Sequence, residues 1–331
     1  MTLATEPIGS LPRKQGGTVA DNLAELEKLG CPVLVDGEEG RTNSVAYPLT
    51  GLAGVAASGV TIPYADGHLR EFPKLTAGPF RYGGRAGSFV REAREHTSLP
   101  VKATVVSPSH LSLLYPADGI DGYSREQFLS DVADEAEADI RSCLDAGAHR
   151  VQLDCGLHRL TAKLDPSGGL LDDFVALDNR VLERFTEDER ARIGVHTYPG
   201  ADQGSTHSLD VDYAELLPKF FRLKAGNFYV QLASEPDPDR VLALVADHLP
   251  PSARVFVGVT DPLDQRVETP EQVRDRILAA ARHLPADRLG TCDDAGFAAY
   301  ADDTFLSRET AFAKIEARVK GTELAAKDLG L

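Results

Sequence analysis

The stretch Gly147-Ala148-His149-Arg150-Val151-Gln152-Leu153-Asp154 decides the fold. A glycine of the kind that stops helices is followed at once by a short β-branched run that ends in a carboxylate. Upstream, Phe128, Val132, Ala136, Ile140 and Cys143 recur at steps of three or four, opened by Ser124 and Gln127 at capping-box spacing. Helix, glycine stop and strand form the rhythm of parallel strands joined by crossover helices. The same rhythm runs along the chain: strand-like segments at 8–11, 32–36, 101–106, 150–154, 192–196, 227–232, 255–260 and 288–292 number eight. Eight such units predict a (β/α)8 TIM barrel, with residues 1–331 forming one domain.

The helices between these strands carry their own signals. Thr269-Pro270-Glu271-Gln272 combines an N-cap, a proline at the first helical position and a capping box, and Val273, Ile277 and Ala280 mark the buried stripe behind it. Gly30 stops the first helix before Pro32, and residues 305–320 read as a closing helix. One stretch breaks the pattern. Residues 41–84 are rich in Gly, Pro, Thr and Tyr without a helical period, which predicts an insertion over the barrel mouth, with a hairpin and with Asn43, Tyr64, Asp66 and Arg70 near substrate.

The chain carries 35 basic and 51 acidic residues, a net charge of −16, so its field repels phosphate backbones and anionic membrane surfaces. Nucleic acid and membrane are excluded as partners on that ground. Residues 1–14, with Glu6, Pro7 and Pro12, lack the apolar core of a signal peptide, and no run reaches the ~18 apolar residues of a membrane span. A cytoplasmic location is expected. Cys31, Cys143, Cys155 and Cys292 stand far apart without a Cys-x-x-Cys pair, which argues against disulfides.

In a barrel of this kind the reacting groups stand at the C-terminal strand ends. Those ends are polar here: Ser10, Glu38, Asp154, Cys155, His196, Tyr198, Gln231, Cys292 and Asp294 fall on them. Carboxylates, an imidazole and two thiols on one rim suit a metal or an amino-acid zwitterion. His110, His158 and His207 read as surface or loop histidines, and Cys143 as core.

At these same positions the sequence resembles the catalytic domain of cobalamin-independent methionine synthase, and more closely the single-domain bacterial proteins of that family. The pieces are Ile8-Gly9-Ser10-Leu11-Pro12-Arg13, Gly37-Glu38 with Arg41-Thr42-Asn43, Val151-Gln152-Leu153-Asp154, Val195-His196-Thr197-Tyr198-Pro199-Gly200, Gly258-Val259-Thr260-Asp261 with Val267-Glu268-Thr269-Pro270, and Asp293-Asp294-Ala295-Gly296-Phe297. The resemblance implies a (β/α)8 barrel that holds the amino group of homocysteine on Glu38 and Asp154 and its carboxylate near Ser10. It also implies zinc on a His-x-Cys pair, a Glu and a Cys. Of those four positions only His196 keeps its ligand, the others being Tyr198, Gln231 and Ala295.

No cofactor is therefore expected: zinc at the family position and methyl-folate are both disfavoured, and a rebuilt site of His196, Cys155 and Cys292 is the one arrangement that would restore the metal. Three functions follow from these residues. The first is an enzyme on an amino-acid or thiol substrate without zinc, with His196, Tyr198 and Asp294 as acid–base groups and Ser10, Glu38, Asp154 and Gln231 as binding groups. The second is methyl or alkyl transfer to a thiol such as homocysteine through the rebuilt site, and the third is an amino-acid binding protein without turnover.

Overall fold

A computed structural model describes residues 3–43 and 45–331; Met1, Thr2 and Ser44, the last within the expected insertion, lie outside the described residues. The strands are β1 (Ala4–Thr5), β2 (Val55–Ala56), β3 (Thr61–Pro63), β4 (Leu69–Glu71), β5 (Lys74–Leu75), β6 (Lys102–Val106), β7 (Arg150–Asp154), β8 (Ile193–Thr197), β9 (Asn227–Val230), β10 (Arg254–Thr260) and β11 (Leu289–Asp293). Seven of them form one curled parallel sheet in the order β1-β11-β10-β9-β8-β7-β6. Beyond β6, Leu34 adds a parallel bridge to Val101, its amide donating to the Pro100 carbonyl at 2.8 Å and its carbonyl accepting from Lys102 at 2.8 Å. The Leu11 amide donates to the Gly37 carbonyl at 3.0 Å and stitches the first segment to that bridge. The architecture is the (β/α)8 barrel.

Two strands differ from expectation. The first lies at Ala4–Thr5 rather than 8–11, because Pro7 has no N–H to donate and the ladder to β11 ends at the bond from the Glu6 amide to the Thr291 carbonyl. The second, expected at 32–36, shrinks to its bridge at Leu34. Pro32 lacks a donor on one side, and on the other Gly37 and Glu38 turn the chain away at φ of 74° and 58°. The other six agree to within two residues at either end.

The expected capping boxes form at Ser124–Gln127 and Thr269–Gln272, opening helices Arg125–Asp145 and Pro270–Ala280 with their stripes buried against the sheet. Gly147 and Gly30 take φ of 83° and 77°. The last helix runs Arg308–Asp328, later than the expected 305–320.

Inside the barrel, Glu6 is gripped by Arg150 and by the Tyr229 hydroxyl at 2.5 Å, with Lys102 Nζ at 3.9 Å. Burial pulls its carboxyl up, but His149, Lys102, Arg150 and Tyr229 together bring it down to about 2. Lys102 Nζ donates to Gln152 Oε1 at 2.7 Å and so carries the charged floor up to the mouth.

Above the mouth, β3 and β4 pair as an antiparallel hairpin, and β2 pairs with β5. Arg70 on β4 spans two loops: it meets Asp202 at 2.5 and 2.9 Å and Asp302 at 2.9 Å through two nitrogens, with its guanidinium 4.2 Å from the Tyr300 ring centroid. The Ala65 amide donates to the Thr206 carbonyl at 2.8 Å. Arg70→Ala should therefore loosen this hairpin, cost about 1–3 kcal/mol and speed proteolysis between residues 41 and 84. Arg70→Lys should restore little, since an ammonium cannot serve two carboxylates bidentately. Cleavage rates equal to those of the parent chain would refute the clamp.

Candidate active site

A small inner cavity opens at the C-terminal strand ends, and its walls include Ser10, Glu38, Asp154, His196 and Tyr198. Glu38 is placed by a strained turn: a non-glycine residue at φ 58° costs roughly 1–3 kcal/mol. Gly37 before it admits no side chain, because a Cβ there would stand 2.4 Å from Asn22 Nδ2. Asp36 holds the turn closed, accepting from the Glu38 amide at 3.1 Å and from Arg41 at 2.7 Å. Arg41 also donates to Thr104 Oγ1 at 3.0 Å, and that hydroxyl donates to Glu38 Oε1 at 2.9 Å. Glu38 Oε2 is buried with no partner among the described residues. Burial pushes the Glu38 carboxyl up, and Arg41 opposes it.

Across the cavity, Asp154 Oδ1 accepts from the Gly156 amide at 3.1 Å, and Oδ2 lies 3.4 Å from the Tyr198 hydroxyl. Ser10 stands against Gly296, where a Cβ would meet its Oγ at 2.1 Å. His196 and Tyr198 stack with centroids 4.7 Å apart and planes 9° from parallel. His196 Nε2 lies 3.1 Å from the Asp294 carbonyl; a carbonyl only accepts, so Nε2 carries the proton and Nδ1 the lone pair. Burial drives its pKa down to about 3 and raises the Tyr198 phenol well above its ordinary value, so both rings are neutral near pH 7.

Gln231 and Asp294, expected in the site, turn away from this cavity. Asp294 spends its carboxylate on the loop after β9, accepting from the amides of Leu232, Ala233 and Ser234 and from the Ser234 hydroxyl at 2.7–2.8 Å. It is a loop clamp that presents only its carbonyl to His196. Gln231 accepts from Arg159 at 2.8 Å and from Tyr213 at 3.1 Å and donates to Ser234 Oγ at 2.5 Å. Arg159, buried and paired with Glu235 at 2.6 Å, fills that corner with positive charge.

Of the histidines expected at the surface or in loops, His207 lies in a loop but is buried, and His110 is half-buried at the end of a short helix. His110 and His207 line an outer cavity that shares Tyr198 with the inner one and is walled by Asn43, Tyr64 and Arg70 of the insertion. Asp66 is instead at the hairpin turn, 2.6 Å from His68 Nδ1. His158 is fully buried. Thr104 and Gln152, absent from the expected site, line the inner cavity. Alternation from Asp154 back to Gln152, and along Lys102 and Thr104, points both inward and was the signal to use.

The zinc implied by the family resemblance does not fit the residues present. Its four positions hold His196, whose Nε2 proton is committed to Asp294, the phenol of Tyr198, Gln231 bonded to a guanidinium, and Ala295. A cation next to Arg159 meets neither thiolate nor carboxylate in that set. The rebuilt trio does not converge either: Cys292 Sγ lies 3.6 Å from the Phe256 carbonyl in the barrel interior, while Cys155 sits in the core. Among the described residues, the one His/Cys/Asp/Glu group within ligating reach is Cys155 with His158 and Asp178.

Residues 12–308 match the family model described as the cobalamin-independent synthase catalytic domain. A methionine synthase of Thermococcus kodakarensis is 22% identical over 312 residues, covering 93% of this chain and 82% of that protein. A B12-independent methionine synthase from Shewanella sp. W3-18-1, solved with selenomethionine, superposes with a TM-score of 0.79 at 21% identity over 99% of both chains. A putative B12-independent methionine synthase from Listeria monocytogenes gives 0.70 at 19% identity over 98% of both. The family match spans most of the barrel, from the loop after β1 to the start of the last helix, and the chain belongs to the family of the cobalamin-independent synthase catalytic domain.

Proposed function

We propose that the chain is an enzyme for an α-amino acid of the homocysteine–methionine class, acting at its sulfur without zinc at the family position. The observation that carries this reading is Glu38: a buried carboxylate on a small cavity opposite Asp154, with one oxygen unpartnered among the described residues. Two acids suit an ammonium, and the Ser10 turn suits the carboxylate. The relative from Shewanella was solved with selenomethionine, which supports the same ligand class.

With the amino-acid head so placed, the side chain runs toward His196 and Tyr198. A thiol there donates its hydrogen bond to His196 Nδ1; as the sulfur lone pair forms a bond to the methyl or alkyl carbon of a donor in the outer cavity, the bond from that carbon to the donor's leaving group breaks, and the thiol proton passes by way of Nδ1 to that leaving group. Tyr198 stays a phenol and orients the sulfur by donating to it. The imidazole cannot hold a proton in the resting site, because its pKa is about 3.

Isothermal titration with methionine and homocysteine tests the pocket. Glu38→Gln should weaken binding roughly 10- to 100-fold, the effect of losing a charge-assisted hydrogen bond. The same variant keeps a carbonyl for Thr104 and should fold at least as stably as the parent, because a buried carboxylate without a partner is unfavourable. Unchanged affinity would reject the reading. His196→Ala should abolish homocysteine alkylation, and Tyr198→Phe should lower turnover by at least about 10-fold with binding little altered.

His110, His196 and His207 are all held near a pKa of about 3 against 6.5 for the free side chain, so the folded chain stays unprotonated where the unfolded chain binds protons. Their contribution to stability is present above pH ~6.5 and is lost as pH falls from there toward 3, by up to about 1.4 kcal/mol per pH unit for each. A melting temperature that stays flat from pH 7 to pH 5 would contradict this, and His207→Gln should flatten the decline.

A further inference from the structure

Behind the strand end that carries Asp154, three side chains meet in the core. Cys155 follows β7 directly, His158 belongs to the helix Leu157–Leu164, and Asp178 to the helix Gly169–Leu182. A ligating atom of each lies within 4.8 Å of the other two, and all three residues are buried. His158 Nδ1 is 3.1 Å from the Cys155 carbonyl, which only accepts, so Nδ1 carries a proton. Nε2 then faces Asp178 Oδ2 at 3.0 Å, but makes no well-aligned hydrogen bond among the described residues. A ring nitrogen held this close to a carboxylate in the core needs either a second proton or a bound cation beside it.

The surroundings match those of a ligand set. A metal-bound histidine commonly gives its other N–H to a backbone carbonyl, and ligating carboxylates are themselves hydrogen-bonded. Here Asp178 accepts from the Ser109 amide at 2.8 Å and from the Ser109 hydroxyl at 2.9 Å. Two ligands ~2.0–2.1 Å from a tetrahedral zinc stand about 3.3 Å apart, close to the 3.0 Å between Nε2 and Oδ2.

We propose that Cys155 Sγ, His158 Nε2 and Asp178 Oδ2 bind one divalent cation of the zinc class, at a structural site separate from the amino-acid cavity. Binding releases the Cys155 thiol proton to solvent, and the thiolate and carboxylate then balance the ion's two charges. The Cys155 amide donates to the His196 carbonyl at 2.9 Å, and the Gly156 amide donates to Asp154 at 3.1 Å. The ion thereby fixes the turn that aims Asp154.

The test is metal content and cobalt(II) spectroscopy on the full chain, stripped and reloaded with zinc or cobalt alone. About one equivalent should bind to the parent, to His196→Ala and to Cys292→Ser. Cys155→Ser and His158→Gln should weaken binding by about 10-fold or more. The cobalt form of the parent and of Cys292→Ser should show a thiolate-to-cobalt charge-transfer band, a readout that stands even if the ligand variants fold poorly. No binding by the parent, with both His158 ring nitrogens protonated by nitrogen NMR, would overturn the proposal in favour of a buried imidazolium–aspartate pair. Binding lost only in His196→Ala would overturn it in favour of the family position.

Discussion

One constraint organises the mouth of this barrel: the Glu38 carboxylate is buried, and the protein satisfies only half of it. Thr104 serves Oε1, Arg41 counters the charge from beside Asp36, and Oε2 is left toward the cavity. A chain that gained nothing from this group would do better with an apolar residue, since burying an incompletely paired carboxylate is costly. The cost is compounded by the left-handed backbone at Gly37 and Glu38, the same turn that reduces the second barrel strand to a single bridge. Fold regularity is given up at the point where the proposed substrate ammonium docks.

The opposite wall has been rebuilt around a different charge. Arg159 bonds Gln231, Gln231 bonds Ser234, Ser234 bonds the Asp294 carboxylate, and the Asp294 carbonyl receives His196. Two of the four positions that the resemblance implies for zinc, Gln231 and His196, are thus joined here by hydrogen bonds about a buried guanidinium. The Asp294 carbonyl fixes the His196 tautomer and leaves Nδ1 as an acceptor. The stacked Tyr198 fits there because Gly156 has no side chain, whose Cβ would come within 2.6 Å of the ring.

Much of the scaffold was legible in the amino-acid order, because the helix stops at Gly147 and Gly30 and the caps at Ser124 and Thr269 are local signals that no tertiary contact overrode. The first two strands were misjudged where proline and left-handed residues interrupt pairing, an effect that apolar runs do not reveal. At the site, strand-end position located Ser10, Glu38, Asp154, His196 and Tyr198 on one cavity. It failed for Asp294 and Gln231, since a strand-end rule gives position and not the direction in which hydrogen bonds aim a side chain. The burial of His207 and the partial burial of His110 have a similar cause: both lie beside the hairpin, whose packing depends on Arg70 reaching residues more than a hundred positions away.

The most direct measurement is an anomalous-scattering map of crystals soaked in selenomethionine, recorded at the selenium and zinc edges. The account requires a selenium peak in the inner cavity beside His196 and Tyr198, the amino group within hydrogen-bond reach of Glu38 Oε2, and no zinc peak on His196. A zinc ion ligated by His196, or selenomethionine bound away from Glu38 and Asp154, would contradict it.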